Sequence, residues 1–205
     1  MSHIEEVNNN TEADIKAAAK KIFLKRGLAG TRMQEIADAA GIGRTALHYY
    51  FRNKEKLFEV VWKDAFRDMV ARTAIIFNSD YSTIEKMEAF IDGYFDKAIS
   101  EPGIDLFMLN EFNNNPEIMK NILTIEDSNS PFGILLQSIE TSVKNGEMEG
   151  PPIQILITFI SMCFFPFAGR PMMQDIVKLT NDQYMLLMQQ RKTYLKGFLK
   201  YAFKP

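Results

Sequence analysis

The stretch Thr31 to Leu57, TRMQEIADAAGIGRTALHYYFRNKEKL, leaves little freedom in how it folds. Met33, Ile36, Ala37 and Ala40 recur at helical spacing. Thr31 stands where an N-cap is expected, with Gln34 three residues on to close a capping box. Gly41 then supplies the positive φ of a tight turn, and Ile42 can plug the inside of that turn. A second helix, starting at about Gly43 or Arg44, sets Leu47, Tyr50 and Phe51 on one face. Two short helices joined by a glycine-containing turn of about three or four residues describe a helix-turn-helix.

If Leu47, Tyr50 and Phe51 point inward, then Arg44, Thr45, His48 and Tyr49 point outward or lie at the margins. A cation, a hydroxyl, an imidazole and a phenol on a free helix face suit the edges of bases in a major groove. Lys54 follows, where Asn53 can cap the next helix, and an ammonium beside exposed helix N–H groups suits a phosphate. The same geometry also occurs as a short solvated helix in an ordinary bundle.

The residues G-I-G-R-T-A-L-H-Y-Y-F-R-N-K-E-K-L, Gly41 to Leu57, resemble the signature of the TetR family of transcriptional regulators, roughly G-V-S-x-G-T-L-Y-x-Y-F-x-S-K-E-x-L. Upstream, A-A-x-x-x-F-x-x-x-G (Ala18 to Gly27) and T-x-x-x-I-A (Thr31 to Ala37) match that family's first two helices. The resemblance covers about a quarter of the chain. The candidate DNA-binding residues are Thr31, Arg32, Gly43, Arg44, Thr45, Ala46, His48, Tyr49 and Lys54. Departures from the signature are Gly43 for Ser or Thr, Thr45 for the frequent Gly, Ala46 for Thr, and His48 for Tyr. Gly43 lacks a hydroxyl that could contact phosphate, and the other changes lie on the reading face.

Charge is distributed unevenly. Residues 11–56 hold ten Lys and Arg against five Asp and Glu, and the rest of the chain holds fourteen against twenty-one. A basic head on an acidic body fits a polyanionic partner for the head alone. Cys163, the one cysteine, excludes an internal disulfide and any multi-cysteine metal site, and it sits in an apolar run. The start MSHIEEVNNNTEAD has no apolar signal region, so a cytoplasmic protein is expected. Ile153 to Ala168 is strongly apolar but shorter than the ~20 residues of a membrane span, and Pro166 interrupts it. No membrane partner is expected.

Residues 1–10 read as a disordered tail, 11–57 as the helix-turn-helix DNA-binding domain, and 58–205 as a helical effector-binding and dimerisation domain. The first helix is expected from Thr11, with Ile15, Ala18, Ala19, Ile22 and Phe23 as its apolar stripe and a stop at Gly27. Leu57, Phe58, Val61, Trp62, Ala65, Phe66 and Met69 predict a helix from Asn53 to about Phe77. Ser82 and Glu85 form a capping box that opens the next helix, which ends at Glu101-Pro102-Gly103. Further helices are expected over Ile104 to Phe112, over a turn or two at Ile118 to Leu123, and from Pro131 to a stop at Gly146. The last two run from Pro152 to about Ala168 and from Asp182 to about Ala202. The chain reads all-α, a three-helix head on a helical bundle.

The helix from Pro152 is apolar on most of its circumference, so it must be covered on most sides. Paired with the final helix and their symmetry mates, it would build a four-helix homodimer interface, and the resemblance implies the same. Ile157, Ile160, Phe164, Leu187, Tyr194 and Phe198 are its candidate residues. A two-fold dimer would set two reading helices about one DNA turn, ~34 Å, or somewhat more apart, on a near-palindromic operator.

The resemblance also implies a pocket for a small-molecule effector among the middle helices. Phe90, Tyr94, Phe107, Met108, Glu111, Phe112 and Phe132 are its candidates, and such flexible and aromatic side chains suit an apolar or aromatic ligand. His3 and His48 are the only histidines; no metal-ligand spacing, Ser/His/Asp set or glycine-rich phosphate loop occurs. Neither an enzyme nor a cofactor is expected. The reading is a DNA-binding transcriptional regulator, a repressor released from its operator by an effector. The alternative is a helical ligand-binding or interaction protein without specific DNA binding.

Overall fold

The computed structural model describes residues 3–114 and 130–204, and every regular element among them is an α-helix. The chain divides between Asp68 and Met69 into two compact units. The expected turns at Ile118 to Leu123 lie outside the described residues.

The first unit holds α1 (His3–Gly30), α2 (Met33–Ala39), α3 (Arg44–Tyr50) and the first part of α4 (Lys54–Phe77). Its core is the apolar stripe of α1, Ile15, Ala19 and Phe23, closed by Ile36 and Ala37 of α2, Leu47 of α3 and Leu57, Phe58 and Val61 of α4. Phe23 meets Phe58 edge-on at 5.0 Å, and Trp62 stacks on Phe66 at the same distance. Lys16 Nζ donates to Asp64 at 2.9 Å, tying α1 to α4 at the surface.

Two expectations for this unit are corrected. Helix α1 begins at His3 rather than Thr11, so the expected tail continues the first helix. Thr31 is not the N-cap of α2. Gly27 breaks α1 at φ 66°, ψ 177°, helical backbone continues to Gly30, and Thr31 is pulled back, its hydroxyl donating to the Gly27 carbonyl at 2.7 Å. Arg32 becomes the N-cap, its N–H donating to Glu35 Oε2 at 3.2 Å, while Gln34 turns to Asp38.

The end of α2 follows the sequence closely. Gly41 takes φ 68°; its N–H donates to the Asp38 carbonyl at 3.2 Å and that of Ile42 to the Ala37 carbonyl at 3.0 Å. This paired Schellman closure needs a left-handed residue, where a side chain would be strained.

The second unit contains the end of α4, α5 (Thr83–Ser100), α6 (Ile104–Asn114), α7 (Pro131–Lys144), α8 (Pro152–Ala168), α9 (Arg170–Val177) and α10 (Asn181–Ala202). Helix α5 starts at the expected capping box, the Ser82 N–H donating to Glu85 Oε2 at 2.8 Å. Ser130 caps α7 ahead of Pro131, and Thr180 with Gln183 caps α10. Phe77, Met87, Ile91, Phe95, Leu135, Ile139, Leu156 and Phe159 form the shared core, with Tyr184, Met188, Leu195 and Leu199 from α10. At about 1.5–3 kcal/mol per large side chain, this apolar burial is the main force holding the unit together.

Helix α9 is absent from the sequence-based expectation. Gly169 and Pro171 punctuate the sequence there, but proline is well tolerated in a first helical turn, so α9 starts anew where α8 ends. Pro166 lies inside α8, and the carbonyl of Met162, four residues earlier, accepts from Arg191 Nη2 of α10 at 3.3 Å. The Tyr184 hydroxyl donates to the Pro166 carbonyl at 2.8 Å. Cys163, between these ties, is buried, and burial pushes its thiol up to about 12.

Candidate nucleic-acid interface

Helix α3 is held down by Leu47, which is fully buried, and by Phe51 just beyond its end, which is 6% exposed. They stand four positions apart, about one helical turn, so their shared inward aim leaves the opposite side of α3 facing outward. Arg44, Thr45, Ala46, His48 and Tyr49 are all exposed, Tyr49 by 82%. Tyr50 is half-buried and meets the Tyr49 ring edge-on at 5.5 Å, which limits how that phenol can swing. Gly43 is the N-cap of α3 with ordinary extended dihedrals, φ −72° and ψ 150°, and is exposed.

The remaining candidates divide. Arg32 is exposed at the start of α2, and Lys54 is half-buried as the first residue of α4, where the Asn53 carboxamide accepts from the Lys56 N–H at 2.8 Å. Thr31 is only 2% exposed and its hydroxyl is engaged by Gly27, so it shapes the α1–α2 junction rather than the surface. Several basic residues of this unit are neutralised locally. Arg26 pairs with Glu35, while Lys56 and Lys63 bracket Glu59 at 2.9 and 2.5 Å and, through their hydrogen bonds, lower its carboxyl to about 2. Among the described residues, no carboxylate forms an ion pair with Arg44 or Lys54. These two cations remain available to an external anion.

His48 carries a further detail. Its Nδ1 lies 3.3 Å from the carbonyl oxygen of Arg52. A carbonyl only accepts, so Nδ1 holds the hydrogen in this contact.

In the second unit, Phe90, Phe107 and Met108 are buried, and Tyr94, Glu111, Phe112 and Phe132 are half-buried. The fold brings three of the candidate side chains together: Phe90 stacks on Tyr94 at 5.4 Å and meets Phe132 at 6.4 Å. Phe107, Met108, Glu111 and Phe112 sit on α6. What joins the two groups is a residue missed in the sequence. Asp105 on α6 is 4% exposed and accepts a hydrogen bond from the Tyr94 hydroxyl. Burial pushes the Asp105 carboxyl up to about 6, and burial with the nearby carboxylate pushes the Tyr94 hydroxyl well above the usual phenol range. The signal was present as an acid inside the apolar run Ile104 to Met108.

Ile157, Leu187, Tyr194 and Phe198 are exposed large apolar side chains, and Ile160 and Phe164 are half-buried. Their spacing, 157-160-164 on α8 and 187-194-198 on α10, places each set on one helical face. Among the described residues, no His, Cys, Asp and Glu group is placed to hold a metal ion, and no single helix is long and apolar enough to cross a membrane.

The first unit is thus a helix-turn-helix with an exposed row on its second helix, and the second unit is a separate helical body. Residues 15–61 match the model of bacterial regulatory proteins of the tetR family. Over 51 residues it is 41% identical to the HTH-type transcriptional regulator TtgR of Pseudomonas putida, covering 25% of this chain and 24% of that protein. Over 78 residues it is 32% identical to the HTH-type transcriptional repressor KstR2 of Mycolicibacterium smegmatis, covering 38% of each. The matched segments thus span between a quarter and two-fifths of these relatives. The ketosteroid transcriptional regulator KstR2 of Mycobacterium tuberculosis shares the fold over 95% of both chains, with a TM-score of 0.70 at 14% identity.

Proposed function

We propose that this protein is a sequence-specific DNA-binding regulator of transcription, a cytoplasmic homodimer that represses by occupying a near-palindromic operator and leaves it when a small-molecule effector binds. The observation that carries the reading is the exposed row Arg44, Thr45, Ala46, His48 and Tyr49 on a helix anchored by Leu47 and Phe51. Nothing in core packing requires these side chains, whereas base edges and phosphates do. Arg44 is assigned to a base and Lys54 to a phosphate. Arg32 and Gly43 approach the backbone, and Thr31 contributes through the α1–α2 junction.

The exposed rows of α8 and α10 support the dimer, since each would meet its symmetry mate across a two-fold axis. The aromatic cluster around Phe90, Tyr94 and Phe132, extended by Phe107, Met108, Glu111 and Phe112 of α6, supports an apolar or aromatic effector. Release is a population shift: the effector favours a spacing of the two heads that no longer fits adjacent grooves. A differential affinity of ~3 kcal/mol moves occupancy about a hundredfold. The head carries the binding over 11–57 and the body carries effector and dimer contacts over 58–205; no cofactor or catalysis is required.

Selection of sites from a random duplex pool at moderate salt tests this. Convergence on a near-palindromic consensus supports it. A pool that never converges, with only salt-labile binding, overturns it and leaves a helical ligand-binding or interaction protein.

A further inference from the structure

From the His48–Arg52 contact we infer that His48 is a specificity-determining residue that reads an exocyclic amino group, adenine N6 or cytosine N4, in the major groove. The inference rests on the DNA-binding reading above and narrows it to one side chain and one class of base edge.

The argument begins with the hydrogen. Nδ1 of His48 is 3.3 Å from the Arg52 carbonyl oxygen, so the singly protonated ring holds its hydrogen on Nδ1. Nε2 is then an acceptor with a free lone pair, and the ring is exposed on α3 beside Arg44 and Thr45. The contact joins residues four positions apart across the end of α3, so it also limits how the ring can turn.

An acceptor cannot serve a phosphate, whose oxygens also only accept. Nor can it serve guanine O6 or N7, or thymine O4. The donors that a major groove presents are adenine N6 and cytosine N4. The tautomer set by Arg52 therefore excludes the DNA backbone and selects bases with an amino group. Arg44, one turn earlier and able only to donate, selects the complementary set. Two neighbouring positions on one helix thus read opposite edges, which is how a short helix specifies a sequence rather than a charge.

The test uses the full-length protein and an operator taken from the random-pool selection. Each adenine in a half-site is replaced in turn by purine, and each cytosine by 2-pyrimidinone, which deletes only the amino group. The expected result is one position at which deletion weakens wild-type binding about fivefold and leaves His48→Ala unaffected. Wild type and variant responding alike at every position would overturn the inference. So would a His48→Ala loss that is equal on operator and random duplex, which would make His48 a backbone contact. A pool that never converges removes the DNA-binding reading itself, and this inference falls with it.

Discussion

Arg191 of α10 donates from Nη2 to the main-chain carbonyl of Met162 in α8 at 3.3 Å, and Met162 stands four residues before Pro166. Proline has no N–H, so this carbonyl lacks the helical donor it would otherwise receive. The guanidinium replaces it. A proline inside the most apolar of the described helices is thus tolerated because a side chain from the neighbouring helix completes the hydrogen bonding.

Removing that side chain should strand the carbonyl. Arg191→Ala is expected to cost about 1–3 kcal/mol in chemical denaturation at fixed protein concentration. In a Pro166→Ala background, where the helical N–H returns, the same change should cost clearly less. Equal costs in both backgrounds would assign the Arg191 effect to packing along its stem.

Asp105 makes stability depend on pH in a direction opposite to that of most carboxylates. Its folded-state carboxyl is raised to about 6 from an ordinary value of 3.8, so the fold binds the proton more tightly than the unfolded chain does. Stability from this group is therefore complete below about pH 4 and is lost as pH rises through 6. Asp105→Asn keeps an acceptor for the Tyr94 hydroxyl and removes the buried charge. It should raise stability by about 2 kcal/mol at pH 7.5 and change little at pH 4. Thermal denaturation at the two pH values measures the difference.

Arg44 and Lys54 should fail in different ways. Lys54→Ala is expected to weaken binding to all duplexes alike and to flatten the dependence of log affinity on log salt by about one unit. Arg44→Ala should instead change which base is preferred at one position, by ~1–3 kcal/mol if it reads a guanine. Competition binding on operator and random duplex across a salt series separates the two.

The apolar rows of α8 and α10 predict an association that charge should break. Ile157 and Phe198 are 50% and 40% exposed, so glutamate at both leaves the core of each chain intact. The double variant should sediment at the 23.5 kDa of one chain while the wild type sediments at twice that mass. Loss of helical content in the variant would show that these residues stabilise the single chain as well.

Much of the fold was legible because local chemistry and tertiary packing ask for the same thing. Gly41 closes α2, Ser82 with Glu85 opens α5, and Pro131 opens α7, each through bonds within a few residues. Thr31 misled because its role depends on how α1 ends. A threonine before an apolar run looks like a cap, but the break at Gly27 offers its hydroxyl a nearer acceptor. Helix α9 was missed because Gly169 and Pro171 read as loop, although both also suit a helix start. Asp105 escaped because its partner, Tyr94, is eleven residues away on another helix. The outward row of α3 was read from Leu47, Tyr50 and Phe51 as its inward face, with Tyr50 only half-buried, but the state of the His48 ring was not readable, since it depends on where one carbonyl comes to rest.

Cys163 has a practical consequence. A thiol this deeply enclosed, with a proton held to about pH 12, offers almost no thiolate to a maleimide or a nitroxide reagent. The natural chain is therefore a silent background for site-directed labelling. A cysteine introduced on the exposed surface of the head would be the single reactive thiol per chain, and in a dimer the two labels would report head-to-head distance directly. Whether an effector opens, closes or merely narrows that distance distribution becomes a spectroscopic measurement in solution.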